Sequence, residues 1–311
     1  MAQESKDFSA GAERGAAMAL TCTAARAGRL SSFLKSELGL STGLMNRLKW
    51  EGRLFVNGMS VHTDYPVCPG DVISVPLDEP APAYPPEDGP LTVLYEDEFL
   101  LAVDKPAGML IHPSRAQNTG TLANRVAFYY QATSQPCAFH PSTRLDRDTY
   151  GVVLLAKNSH VHHILNRLHS EGKLEKTYHA LVYGGPEKAC GQIDAPIARV
   201  NPPSLLREIR PDGKPARSEY TLLTRLDGCS KLSLRPLTGR THQLRLHCLY
   251  MGWPILGDPQ YHTAESLAFS QSLGLTAQCL CAISVALPHP ISGQRLEIHS
   301  KMGSCLPSPN V

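Results

Sequence analysis

The sequence predicts an α+β protein with two domains, and three observations carry that reading. Helix-like and strand-like segments alternate without the regular βαβ rhythm of a doubly wound sheet. Short apolar runs flank turn signals at Asn57-Gly58 and at Pro106 and Gly108, as in strands joined by tight turns. Residues 76–90 carry six prolines, which fix φ and remove backbone donors, so this stretch reads as an extended linker and the domain boundary. At 311 residues and 42% hydrophobic content the chain can bury two cores.

The elements follow in order. Residues 1–26 mix charges with small residues and read as a flexible tail; they have no apolar stretch of signal-peptide type. In the unit 27–75, Phe33, Leu34 and Leu38 share one helical face. Ser41 or Thr42 caps a second helix carrying Leu44, Met45 and Leu48, and Gly52 stops it. The segment "LFVNGMSV" is a hairpin, and "CPGDVISV" supplies another turn and strand. The second domain, 91–300, opens with strands around Pro106 and Gly108. "TLANRVAFYYQAT" is a helix. "NSHVHHILNRLHSEG" is another, with Val161, Ile164, Leu165 and Leu168 at i, i+3, i+4 and i+7, Asn158 as cap and Gly172 at its end. "KTYHALVYG" and "SEYTLLTRLDGCSKLSLRPLTG" read as strands. "THQLRLHCLYMG" reads as a short helix with Thr241 as N-cap. Residues 301–311 are a C-terminal tail.

Composition narrows the function classes. The formal net charge of +2 gives no global basic field, so a nucleic-acid partner would have to be met by local patches. No apolar stretch approaches the roughly 20 residues that span a bilayer. The nine cysteines are odd in number and form no CxxC pair, which suits a reducing cytoplasm. The histidines at 160, 162 and 163 do not converge on one helical face, and neither HExxH nor zinc-spaced cysteines occur, so no metal is expected. The nucleotide-cofactor signatures GxxxxGK[ST] and GxGxxG are missing too.

The densest charge lies at the lip of a buried strand, in "STRLDRDTYGVVLLAKN". Asp146 and Asp148 are two apart: on a strand they would share a face, on a turn they would diverge. A carboxylate at such a lip is either part of a solvated turn or a reacting group on a rigid mount, beside the guanidinium of Arg144. In "LTGRTHQLRLH", Arg240 and Arg245 are five apart, and taken alone the segment reads as an amphipathic helix with a solvated arginine. Lys176 and Tyr178 share a strand face, where a tyrosine packs a core, stacks on a base or moves a proton.

Taken together, "VDKPAGMLIHPS", "STRLDRDTYGVVLLAKN", "EKTYHALV", "GRTHQLRLH", "GDPQYH" and "ALPHPISG" occur in the order found in the RluA family of pseudouridine synthases, which the chain resembles over roughly residues 91–300. Residues 27–75 resemble the small S4-like RNA-binding domain, an α/β unit first described in a ribosomal protein. The resemblance implies a mixed, largely antiparallel sheet, conversion of uridine to pseudouridine in structured RNA without a cofactor, and a monomer acting on large-subunit ribosomal RNA rather than tRNA. It assigns Asp146 as the catalytic aspartate and Arg144 to displacing the target base. Tyr178 would pack on the flipped uracil, and Arg245 would pair with Asp146. Two positions depart from the family pattern: Thr143 stands where histidine is usual and Tyr150 where serine is usual, which bears on target choice more than on chemistry. Arg47, Lys49 and Arg53 cluster around the second helix of the front unit and, with Arg240, are candidate phosphate contacts. Two alternatives remain at this point: an RNA-binding or assembly factor that has kept the fold, and a glycosidase-like hydrolase using Asp146 with Asp148.

Overall fold

The structure is a computed structural model describing residues 18–79, 84–114, 117–201, 204 and 206–303. Most of the expected N-terminal tail and residues 304–311 of the C-terminal tail lie outside the described residues. The front unit runs β1 (Ala19–Thr23), β2 (Gly28–Arg29), α1 (Leu30–Ser36), α2 (Thr42–Trp50), β3 (Phe55–Val56), β4 (Met59–Ser60), β5 (Pro66–Val67) and β6 (Val72–Pro76). Its main sheet has the order β1-β6-β3-β4, with β2 and β5 paired beside it. The β3–β4 turn is the expected Asn57-Gly58 hairpin, with both residues at positive φ. Ser41 caps α2 by accepting from the Leu44 N–H. One expectation changes here: Ala19–Thr23, read as part of a flexible tail, is a strand paired along its whole length with β6. Its weak apolar pattern hides this, because the partner lies some fifty residues away.

The second domain follows as β7 (Thr92–Glu96), β8 (Leu100–Lys105), α3 (Leu122–Ala132), β9 (His140–Pro141), β10 (Tyr150–Ala156), α4 (Ser159–Ser170), β11 (Glu175–Tyr183), β12 (Cys190–Asp194), β13 (Ile197–Arg199), β14 (Arg207–Ile209), β15 (Arg217–Leu226), β16 (Cys229–Pro236), α5 (Gln243–Tyr250), α6 (Ala264–Ser272), β17 (Leu280–Pro288) and β18 (Arg295–His299). A 10-stranded sheet has the path β12-β15-β16-β11-β17-β10-β8-β7, with β18 beside β17 and β9 beside β10. Among the described residues β10–β17 is its one parallel pairing; the rest are antiparallel. At that joint Gly151 has φ 109°, and a Cβ on it would lie 2.2 Å from the Ala282 carbonyl oxygen, so only glycine fits.

The core is the apolar run the sequence showed. Val152 to Ala156 are fully buried, and Val161, Ile164, Leu165 and Leu168 of α4 are buried with them. Each Val, Leu or Ile side chain among them contributes about 1.5–3 kcal/mol of burial. The proline-rich stretch is less of a spacer than its composition suggests. Leu77 is buried. Glu79 accepts from the Ser159 N–H at 2.9 Å and meets His140 at 2.8 Å. Tyr84 packs edge-on against Phe139, and the Asn124 side chain donates to the Pro85 carbonyl. On the other side of the seam Asn158 meets the Met18 sulfur at 2.9 Å. Buried apolar side chains of both units form one contiguous cluster. Prolines tie down φ in the unfolded chain as well, so the same composition serves a strap held against a surface.

Candidate active site

The turn between β9 and β10 (142–149) carries the charged stretch, and two anchors make it rigid. Thr143 Oγ1 accepts from the Leu154 N–H at 2.9 Å, turning this side chain towards the strand. Lys105, at the end of β8, is fully buried and spends its ammonium on three carbonyls: Pro106 at 2.8 Å, Met109 at 2.9 Å and Arg147 at 2.8 Å. Burial pulls its pKa down to about 8, against the opposing pull of Asp148 and Asp146. The turn therefore sits on a buried three-pronged clamp.

On this mount the two carboxylates diverge, as they must on a turn. Asp148 is held by Arg147 through two hydrogen bonds of 3.1 Å. Asp146 instead enters a cavity of about 720 Å³, within the size range of small-molecule and cofactor pockets. The glycosidase-like pairing of Asp146 with Asp148 fails here, since Asp146 is the one carboxylate among the lining residues.

Arg245 Nη1 donates to Asp146 Oδ2 at 3.1 Å. Its other nitrogens hold Asp258, at 2.6 and 2.7 Å, and the Gln260 side-chain oxygen at 3.0 Å. The guanidinium lies over the Tyr261 ring, 4.8 Å from its centroid. Burial opposes the charge on Arg245, but Asp258 and then Asp146 outweigh it and its pKa rises. Far from being a solvated helix residue, Arg245 is buried and fixed from two sides. The helix starts later than expected: its cap is His242, in the left-handed region at φ 56°, and Thr241 is exposed before it. Thr238 and Arg240 both bond to the Gln243 side chain, which fills the place of a cap from inside the helix.

His242 itself is a site residue the sequence reading passed over. Its Nε2 lies 3.9 Å from Asp146 Oδ2 and its Nδ1 2.8 Å from the Tyr261 hydroxyl. That hydroxyl already accepts from the Arg207 N–H at 3.0 Å, so its own proton is free for Nδ1, which leaves Nε2–H towards Asp146. Burial first, then Arg245 and Arg207, hold the imidazole below its usual pKa despite Asp146. Tyr178, on β11, is buried in the same cavity, and burial, then Asp146, raise its hydroxyl well above the tyrosine range. Arg144 and Arg240 are exposed and line the cavity, with Arg240 Nε donating to the Pro215 carbonyl at 3.1 Å.

Of the residues singled out in the sequence, then, Arg144, Asp146, Tyr178, Arg240 and Arg245 converge on one cavity. Arg47, Lys49 and Arg53 lie on the front unit outside it. Arg47 pairs with Glu79 at 3.5 Å and Glu51 at 3.9 Å, and Arg53 pairs with Glu51 and Asp78, so both hold the seam as well as facing solvent. Lys49 is exposed and makes no ion pair among the described residues. Tyr150 is not among the residues lining the Asp146 cavity; it lines a separate apolar recess with Pro106, Leu275 and Cys279. His160, His162 and His163 part company: buried, cavity-lining and exposed respectively. Lys105 and Asp258 were missed as well, although "VDKP" and "GDPQYH" contain them; nothing local marks a lysine whose partners are carbonyls.

The family model for RNA pseudouridylate synthase matches residues 99–250, the stretch that holds Asp146, Tyr178 and Arg245. An uncharacterized RNA pseudouridine synthase of Bacillus subtilis, YjbO, is 34% identical over 270 residues, covering 86% of this chain and 93% of its own. Ribosomal large subunit pseudouridine synthase C of Vibrio cholerae is 30% identical over 293 residues, covering 88% and 89%. Ribosomal large subunit pseudouridine synthase D of Zymomonas mobilis is 34% identical over 244 residues, covering 75% and 76%. In fold, human RNA pseudouridylate synthase domain containing 1 superposes with a TM-score of 0.57 at 24% identity, over 72% of this chain and 87% of that one. A lone carboxylate gripped by a buried arginine over a tyrosine-lined cavity, in a sheet and sequence of this kind, makes the chain a member of the RNA pseudouridine synthases, enzymes that isomerise uridine in RNA.

Proposed function

We propose that Asp146 is the catalytic carboxylate of this uridine isomerase, and that its substrate is structured large-subunit ribosomal RNA. The observation that carries the reading is the Arg245–Asp146 pair, set in a cavity where Asp146 has no carboxylate neighbour. The target uridine leaves its stack, at a cost of a few kcal/mol, with Arg144 at the exposed rim placed to take its position. The N1–C1′ bond breaks with help from Asp146, acting on the sugar carbon or on the 2′ proton. The uracil turns against Tyr178, C5 bonds to C1′, the C5 proton leaves and N1 regains one. No atom is gained or lost overall. Arg245 holds the carboxylate in place, and the Nε2–H of His242 faces the same side. The two ribosomal relatives support a ribosomal RNA target.

The front unit serves in this reading as an S4-like RNA-holding module, supported by its hairpin, its second helix and the exposed Lys49. Ribosomal RNA transcripts treated with the purified protein, then probed chemically for pseudouridine, test the proposal. Wild type should convert a discrete uridine of the large-subunit RNA. Asp146→Asn should fold normally and convert it at no more than a few per cent of that rate, since the amide can act neither as nucleophile nor as base. Activity confined to tRNA would reject the target, and an active Asp146→Asn would reject the carboxylate.

A further inference from the structure

Lys176 is a cation that nothing in the reaction just described uses. It lies on β11, two residues from Tyr178, and both line the cavity. The side chain is largely withdrawn from solvent, and burial alone pulls its pKa down to about 8. Among the described residues it makes neither hydrogen bond nor ion pair. A partly desolvated ammonium without a protein acceptor carries a cost that only water offsets. Lys105, which is fully buried, avoids that cost through three carbonyls. Lys176 has no such set.

Its surroundings are built from three elements. His169 of α4 feels the Lys176 charge, and burial, then that charge, lower its pKa. Gly239, in the loop before α5, lies so close to His169 that a Cβ there would stand 3.5 Å from Nε2. Arg240 follows Gly239, exposed and without a carboxylate partner among the described residues. Asp146, the cavity's one carboxylate, is already taken by Arg245. This wall of the cavity therefore presents two unneutralised cations and an imidazole to whatever enters. A uracil is neutral and needs no such wall; a phosphodiester carries the single negative charge that matches it.

We propose that Lys176, with Arg240 and His169, forms an anion subsite that holds a phosphodiester of the RNA strand beside the nucleotide drawn into the cavity. The subsite rests on RNA being the substrate, and it deepens that reading by dividing the cavity. Asp146 and Tyr178 face the sugar and base. The wall between β11, α4 and the loop before α5 faces the backbone. Ammonium and phosphate each satisfy the other, so the cost stored in the free protein is recovered on binding.

The test is a binding measurement on the full chain. The probe is hexauridylate, alone and with each phosphodiester in turn replaced by a neutral methylphosphonate. Wild type should lose about tenfold in affinity at one position, as expected for a single charge-assisted contact. Lys176→Met should show that loss with the unmodified probe, no further loss at that position, and a salt dependence shallower by about 0.7 of a unit of slope. Lys176→Arg should recover most of the affinity, which a packing defect would not allow. Equal binding by Lys176→Met and wild type, or losses that add at every position, would overturn the subsite. So would competition by inorganic phosphate without any position-dependent methylphosphonate effect, which would make the wall a free-anion site. Pseudouridine formation is read in a separate assay, so failure of the subsite and failure of the ribosomal target show up in different measurements.

Discussion

Asp146 and Asp148 have the same chemistry two residues apart, and their surroundings separate them. Asp148 is spent on Arg147, outside the cavity. Asp148→Asn should therefore keep most of the single-turnover rate, against near-complete loss in Asp146→Asn; equal losses would restore a two-carboxylate mechanism. His160 makes a second residue-scale prediction. It is buried in α4 with both ring nitrogens unpartnered, and burial, then His163 and Arg167, lower its pKa to about 4. The unfolded chain binds this proton near pH 6.5, the folded chain only near 4. Stability is thus full above about pH 6.5 and lost as pH falls towards 4, by up to ~3 kcal/mol. His160→Leu should flatten that part of the stability profile in chemical denaturation; an unchanged slope would show that the proton goes elsewhere. At this scale the sequence was legible where a residue sits in a dense motif, as Asp146, Tyr178 and Arg245 do. It was silent on His242 and Lys105, whose roles come from a left-handed backbone and from distant carbonyls.

Among elements, α4 was readable from end to end, because its apolar period, its Asn158 cap and Gly172 all lie within the segment itself. The start of α5 was misjudged by one residue, because it is set by Gln243 reaching back to Thr238 and Arg240 rather than by the Thr241 hydroxyl. The strap at 77–79 shows the same limit. Glu79 closes the N-terminus of α4 by accepting from Ser159 and holding His140. Burial works against its charge, but these contacts prevail and lower its pKa to about 2. Its stabilisation is present above the ordinary carboxylate pKa of 4.5 and is lost as pH falls through about 2. Glu79→Gln should cost about 1–2 kcal/mol at neutral pH and progressively less in acid, checked by denaturation midpoints. A cost independent of pH would mean that packing, not charge, is what Glu79 supplies.

For the molecule as a whole, the charge sums nearly to zero while the cavity around Asp146 collects arginine and lysine, so the positive charge is concentrated locally and not spread as a net field. The front unit divides its basic residues between two tasks. Lys49→Ala should weaken binding to all RNA sequences alike and lower the salt slope by about 0.7–0.9. Arg47→Ala should instead lower thermal stability, because Glu79 loses a partner; the reverse pattern would reassign both. The α+β class was plain from the sequence. The contacts that Met18 and Glu79 make with the sheet domain were not, since each spans some sixty residues or more and leaves no local pattern.

The strand order has a consequence for timing. β17 is inserted between β10 and β11, both of which leave the ribosome more than ninety residues earlier. Until residues 280–288 have emerged, two long apolar strands stand with open edges, and Asp146 waits for an arginine that is 99 residues further along the chain. For more than ninety residues of its synthesis the nascent protein carries a sheet split down the middle. Chains arrested before β17 should be held by chaperones or aggregate, and a ribosome-bound chain should hold its native Asp146–Arg245 contact stably only once β17 has emerged.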